Sequence, residues 1–231
     1  MTTLVITPIQ SEFHYLRQSC ARQSIQATET KIGRLAALHF PALAMYVALG
    51  GLGKAQFALQ AQHLIDHCDD VEVVICAGAA GALSPVLQVG DVVVATETVE
   101  HDIRNHFGKP LLPRFLSDPA VLYTFQQLPQ NAAFTCHFGP IASGDEDIVD
   151  VERGRSIQQR TGALAVAWEG AGGARACQFN GVPFVEIRGI TDNADHSAAA
   201  DFTKNLELAQ HNVATLLTRW ALSRPMTELM Q

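Results

Sequence analysis

Two short runs of this chain, Val73-Val74-Ile75 and Val92-Val93-Val94, are apolar at every position. A strand with one wet face alternates polar and apolar residues, so a run without alternation must be covered on both faces, as parallel strands between helices are. Further short runs rich in β-branched residues recur along the sequence. The strand candidates are Leu4–Ile6, Ala44–Leu49, Val71–Ala77, Asp91–Glu97, Thr135–Ile141, Leu164–Ala167 and Phe184–Ile190. Between them lie segments of helical periodicity: Glu12–Ser24, Lys54–Cys68, Val149–Thr161, Gly170–Asn180 and Ala199–Ser223. Phe57, Leu64 and Ile65 mark one face of the second, and Leu206, Val213, Leu216, Leu217 and Trp220 mark a stripe on the last. This alternation predicts an α/β fold with a mixed, mostly parallel central sheet flanked by helices. No repeat, low-complexity tract or linker divides the chain, so residues 1–231 are expected to form a single domain. Residues 102–130, with Pro110, Pro113, Pro119 and Pro129, are the least regular stretch and read as a lid, an oligomer contact or plain surface.

Composition narrows the possible partners. Of 231 residues, 48% are hydrophobic and 17% charged, the net charge is −7, and Lys and Arg form no cluster. A chain of this kind can bury a large core, but it lacks the basic patch that nucleic-acid binding requires. The five cysteines are scattered and form no C-x-x-C pair, which argues against a disulfide framework or a metal site and for a reducing, cytoplasmic setting. The first residues have no basic region before an apolar run, as a signal peptide would, and no apolar stretch approaches the roughly 18 residues of a membrane span.

Chemistry gathers at the carboxyl ends of the candidate strands, where open α/β sheets bind ligands. The segments there are Thr7-Pro-Ile-Gln-Ser-Glu12, Gly50-Gly-Leu-Gly-Lys54, Gly78-Ala-Ala-Gly81, Ala142-Ser-Gly-Asp145, Trp168-Glu-Gly170 and Thr191-Asp-Asn-Ala-Asp195. The glycines at 50–53 and 78–81 either serve tight turns or let backbone N–H groups, including those of Gly78 and Ala79, approach a ligand oxygen. Glu169, at a strand-to-helix junction beside small residues, is either a first-turn carboxylate favoured by the helix dipole or an acceptor for a vicinal diol. Asp192 is either an Asx-turn residue or an enclosed acid whose burial keeps it protonated for donation to a leaving heterocycle nitrogen. Arg188, near the tip of the same strand, is either a surface ion pair or a group that orders a neighbouring carboxylate or anion.

In order and spacing, these segments resemble the nucleoside phosphorylase/nucleosidase superfamily, most closely its 5′-methylthioadenosine/S-adenosylhomocysteine nucleosidases. The resemblance covers nearly the whole chain and also includes Val89-Gly-Asp-Val-Val93, His101-Asp102 and Val182-Pro-Phe-Val-Glu-Ile-Arg-Gly-Ile-Thr-Asp-Asn-Ala-Asp195. It implies a three-layer αβα sandwich, a homodimer, a small purine nucleoside as substrate and no cofactor. By the same resemblance, Asp192 protonates the purine, Glu12 activates the attacking water, Glu169 binds the ribose hydroxyls and Arg188 supports the site near the water. Ile148 offers backbone hydrogen bonds to the base, Phe202 lines the pocket, and Phe107 or Pro113 reaches the 5′ region of the partner subunit's pocket.

Several positions depart from the nucleosidase pattern. Asp147 stands where an aromatic residue commonly stacks on the base, Trp168 replaces the usual methionine, Ala167 occupies the place of a further glutamate, and Ala79 that of a serine. These departures point to a shifted substrate, with futalosine-type or other 5′-substituted nucleosides as alternatives. The first loop carries Glu12 and has no arginine before Arg17, which suits water better than phosphate. A phosphorylase and a non-catalytic nucleoside-binding protein of the same fold are the remaining alternatives.

Overall fold

The computed structural model describes residues 2–104, 106–108 and 111–224. Asn105, Lys109 and Pro110, within the irregular stretch, lie outside them. The first half of the chain runs β1 (Thr2–Thr7), α1 (Gln10–Arg22), β2 (Thr28–Ile32), β3 (Leu35–Phe40), β4 (Met45–Leu49), α2 (Lys54–His67), β5 (Val71–Ala82) and β6 (Val92–Glu100). It continues with β7 (Arg114–Leu116), α3 (Pro119–Gln126), β8 (Cys136–Ser143), α4 (Val151–Thr161), β9 (Ala165–Ala167), α5 (Gly170–Asn180), β10 (Phe184–Asp192) and α6 (Ala198–Ser223).

The strands form one mixed sheet, and its longest ladders, β10–β5 and β6–β8, are parallel. One part of the sheet closes on itself: β10 pairs with both β5 and β6, and the chain of pairings β6–β8–β9–β5 completes a ring. From β5 the sheet extends outward through β1, β4, β3 and β2.

The all-apolar runs do what their pattern demands. Val73 and Ile75 face one core with Phe13 and Leu16 of α1 and Val213, Leu217 and Trp220 of α6. Their neighbours Val74 and Cys76 face the other, with Phe57, Ala61 and Leu64 of α2 and Ala174 and Cys177 of α5. The period-two flip of a strand thus feeds two helical layers at once, giving the expected three-layer arrangement.

Two local expectations are corrected. Gly78-Ala-Ala-Gly81 is not a turn beyond a strand; it continues β5, because β10 runs beside it from Phe184 to Asp192 and supplies ladder partners as far as Gly81. The 102–130 stretch holds a strand, β7, and a helix, α3, whose start is fixed by Pro119 and by Asp118, which accepts hydrogen bonds from the N–H groups of Ala120 and Val121. The β2–β3 hairpin, with its largely exposed first strand, was also not visible in the apolar pattern. Among the described residues no helix is long and apolar enough to cross a membrane.

Candidate active site

Strand β1 ends at Thr7, and Pro8 and Ile9 turn the chain into α1, which places Glu12 in the first helical turn. The buried carboxylate is held at both oxygens: Oε2 accepts from the Ile9 N–H at 3.1 Å and Oε1 from the Ala79 N–H on β5 at 2.7 Å. Burial is the strongest influence on its acidity. Together with the nearby Glu169 it outweighs the Arg188 charge and the two N–H donors and lifts the Glu12 pKa to about 7.

Arg188 is not a surface ion pair. It sits in the interior of β10, almost fully buried, with every nitrogen occupied. Nε donates to Glu186 at 2.9 Å, Nη2 to Glu169 at 3.1 Å and to the Cys76 sulfur at 3.3 Å, and Nη1 to the Ala79 carbonyl at 3.3 Å. Desolvation opposes this charge, but the surrounding acidic groups more than offset it and raise the Arg188 pKa, so the guanidinium stays charged. Glu169 stands at the N-cap position of α5 without capping it through its side chain, and its second oxygen accepts from the Gly53 N–H at 3.2 Å. Gly53 itself has φ of +82°, a positive-φ conformation that glycine adopts without strain.

Gly78 pairs with Arg188 across the β5–β10 ladder. A Cβ there would meet Arg188 Nη1 at 2.6 Å and Glu12 Oε1 at 2.8 Å, two groups already fixed by their hydrogen bonds. Gly78→Ala is therefore expected to cost about 1–3 kcal/mol, the usual range for overpacking. Differential scanning calorimetry should show a melting point lower by several degrees; an unchanged value would mean that the two side chains yield easily.

Asp192 is the last residue of β10. Oδ1 accepts from the Ala194 N–H at 2.9 Å and Oδ2 from the Thr191 hydroxyl at 2.7 Å. The turn reading holds, and the bond that fixes the turn also fixes the carboxyl. Burial, aided by Asp201 and Asp195, raises its pKa against the pull of these two donors.

These groups surround a cavity of about 470 Å³. Glu12, Glu169, Asp192, Arg188, Ala79, Asp147, Ile148, Trp168 and Phe202 all line it, joined by Leu52, Glu146, Thr191 and a set of small apolar residues. One expected residue does not. Gly78 lies beneath Glu12 and Arg188 rather than on the wall. Phe107, expected at the partner subunit's pocket, is fully exposed. The loop before Ile148 is tethered from below: Lys54 pairs with Glu100 at 2.9 Å and Asp102 at 2.5 Å, and Asp102 accepts from the Asp145 N–H at 3.0 Å. Sequence reasoning missed Glu186 and Thr98, which stand behind Arg188. The signal was present, since a carboxylate inside a buried strand run needs a partner.

A family model described as the Phosphorylase superfamily matches residues 2–221. The chain belongs to the phosphorylase superfamily. Among curated members, it is 34% identical to the aminodeoxyfutalosine nucleosidase of Helicobacter pylori strain J99 over 74% of this chain and 77% of that protein. It is 31% identical to the 5′-methylthioadenosine/S-adenosylhomocysteine nucleosidase of Geobacillus kaustophilus over 94% and 95% of the two. A superfamily structure, the nucleosidase of that name from Neisseria meningitidis in complex with methylthio-immucillin-A, superposes with a TM-score of 0.82 at 29% identity and covers 96% of this chain and 99% of that one.

Proposed function

We propose that this superfamily member is a purine nucleosidase that hydrolyses the N-glycosidic bond of a 5′-substituted nucleoside. The observation that carries the reading is the charge of the cavity wall. Among the described residues it presents five carboxyl groups, Glu12, Glu146, Asp147, Glu169 and Asp192, and a single Lys or Arg, Arg188, whose nitrogens are already engaged. Even with Asp192 protonated and Glu146 paired to Arg153, this wall offers a phosphate no unengaged cation among the described residues and suits water better. The names of the similar proteins, nucleosidases acting on methylthioadenosine, S-adenosylhomocysteine or aminodeoxyfutalosine, support the same class.

In the reaction, Glu169 accepts hydrogen bonds from the ribose 2′ and 3′ hydroxyls. Water adds to C1′ as its proton passes to Glu12, the C1′–N9 bond breaks, and its electron pair moves into the purine, which takes a proton from Asp192 at N7. Free base and a 5-substituted ribose result. A base that must be ionised near neutral pH fits Glu12, whose pKa is lifted to about 7. Trp168 and Phe202 offer aromatic surface to the base in place of the residue that Asp147 replaces. The active unit is a homodimer in which exposed Phe107 of one subunit reaches the 5′ end of its partner's cavity.

The test is a panel of methylthioadenosine, S-adenosylhomocysteine, aminodeoxyfutalosine and inosine, each incubated with and without phosphate while free base is followed. Release without phosphate is expected. Strict phosphate dependence would make the protein a phosphorylase, and binding without release would make it a nucleoside-binding protein.

A further inference from the structure

Glu186 is fully buried, lies off the cavity wall, and has no part in the chemistry above. It nevertheless ends a continuous relay. The Thr98 hydroxyl on β6 donates to Glu186 Oε2 at 2.5 Å, and Glu186 Oε1 accepts from Arg188 Nε at 2.9 Å. Arg188 Nη2 then reaches Glu169 Oε2 at 3.1 Å, and Glu169 Oε1 meets the Gly53 N–H at 3.2 Å. The space for Glu186 exists because Gly170, the first residue of α5, lacks a side chain; a Cβ there would overlap the Glu186 carboxylate.

We propose that Glu186, locked by Thr98, is a positioning residue that holds the Arg188 fork in the plane from which it presents Glu169 to the substrate diol. This rests on Glu169 binding the ribose hydroxyls, as argued above. A guanidinium is rigid and planar, so fixing Nε at one edge and Nη2 at the other sets its orientation. Three buried carboxylates, Glu12, Glu169 and Glu186, share this one cation. Without Glu186, the Nε–H has no acceptor, and the fork is free to tilt toward Glu12 and away from Glu169. The diol-binding oxygen then shifts, although no wall residue has changed.

The readout is the ratio of kcat/KM for a ribonucleoside to that for its 2′-deoxy counterpart, alongside calorimetric affinities for the same pair. Glu186→Leu, which removes the acceptor, and Thr98→Val are expected to raise KM for the ribonucleoside at least tenfold and to reduce the ribo-to-deoxy ratio at least fivefold. Thr98→Ser, which keeps the hydroxyl, should retain both. A general loss of packing would weaken the two substrates alike and leave the ratio unchanged, and that result in folded variants overturns the proposal. Should Glu186→Leu fail to fold, the Thr98→Val and Thr98→Ser pair decides it. A wild type that neither turns over nor binds any nucleoside overturns the functional reading and this inference together. A wild type that does discriminate, with variants that discriminate equally, overturns this inference alone.

Discussion

Asp192→Asn is expected to lower kcat by about 10²–10⁴-fold, the range for a lost general acid, while nucleoside affinity stays within a few-fold of wild type. The substitution suits the site sterically and chemically. An asparagine Oδ1 can still accept from the Ala194 N–H, and its amide can donate to the Thr191 oxygen, whose own proton turns to the Ala80 carbonyl 3.3 Å away. The turn and the strand end therefore survive, and what disappears is the transferable proton. Single-turnover base release beside calorimetric binding separates the two effects. A variant that releases base at the wild-type rate would remove Asp192 from the reaction; one that fails to bind would make it a structural residue.

Glu12→Gln should reduce turnover by a similar factor, because an amide cannot take the proton of the attacking water. It should also change how stability depends on pH. In the folded chain Glu12 keeps its proton up to about 7, whereas an unperturbed glutamate loses it near 4.5. The native state thus binds more protons than the unfolded state across that interval, and stability falls as pH rises through it. At one pKa unit per 1.36 kcal/mol, the contribution lost by pH 8 is on the order of 3 kcal/mol. Glutamine does not titrate, but it offers one acceptor where Glu12 has two, leaving either the Ile9 or the Ala79 N–H poorly paired at about 1–3 kcal/mol. The variant should accordingly melt below wild type at pH 5 and draw level with it or exceed it at pH 8. Parallel melting curves at the two pH values would show that Glu12 titrates normally.

The central architecture was legible because its signal is physical. Strands covered on both faces cannot hide their apolar runs, and the stripe on α6 faces the core that Val73 and Ile75 also face. The parts that escaped are those whose signal is weak or distant. β2 has mostly exposed residues, β7 is three residues long, and both gain stability from neighbours in the sheet that no local pattern announces. The site divided along the same line. Glu12, Glu169 and Asp192 were readable at strand ends, and all three reach one cavity. Gly78 was misread because a glycine that makes room for Arg188 looks, in sequence, like a glycine that makes room for ligand. Glu186 was overlooked because its partners Thr98 and Arg188 are 88 and 2 residues away, and only the folded ladder shows that they face it.

The strand that carries Asp192, Arg188 and Glu186 belongs to a hoop, and a hoop has no selvedge from which to unravel. β10 is bonded along both flanks, so the acid and its supports cannot slip by one register without breaking two ladders at once. Asp147, Ile148 and Leu52 sit instead on connecting loops around the mouth, outside that frame. Taste for one nucleoside over another can therefore drift at the mouth while the bond-breaking apparatus stays put.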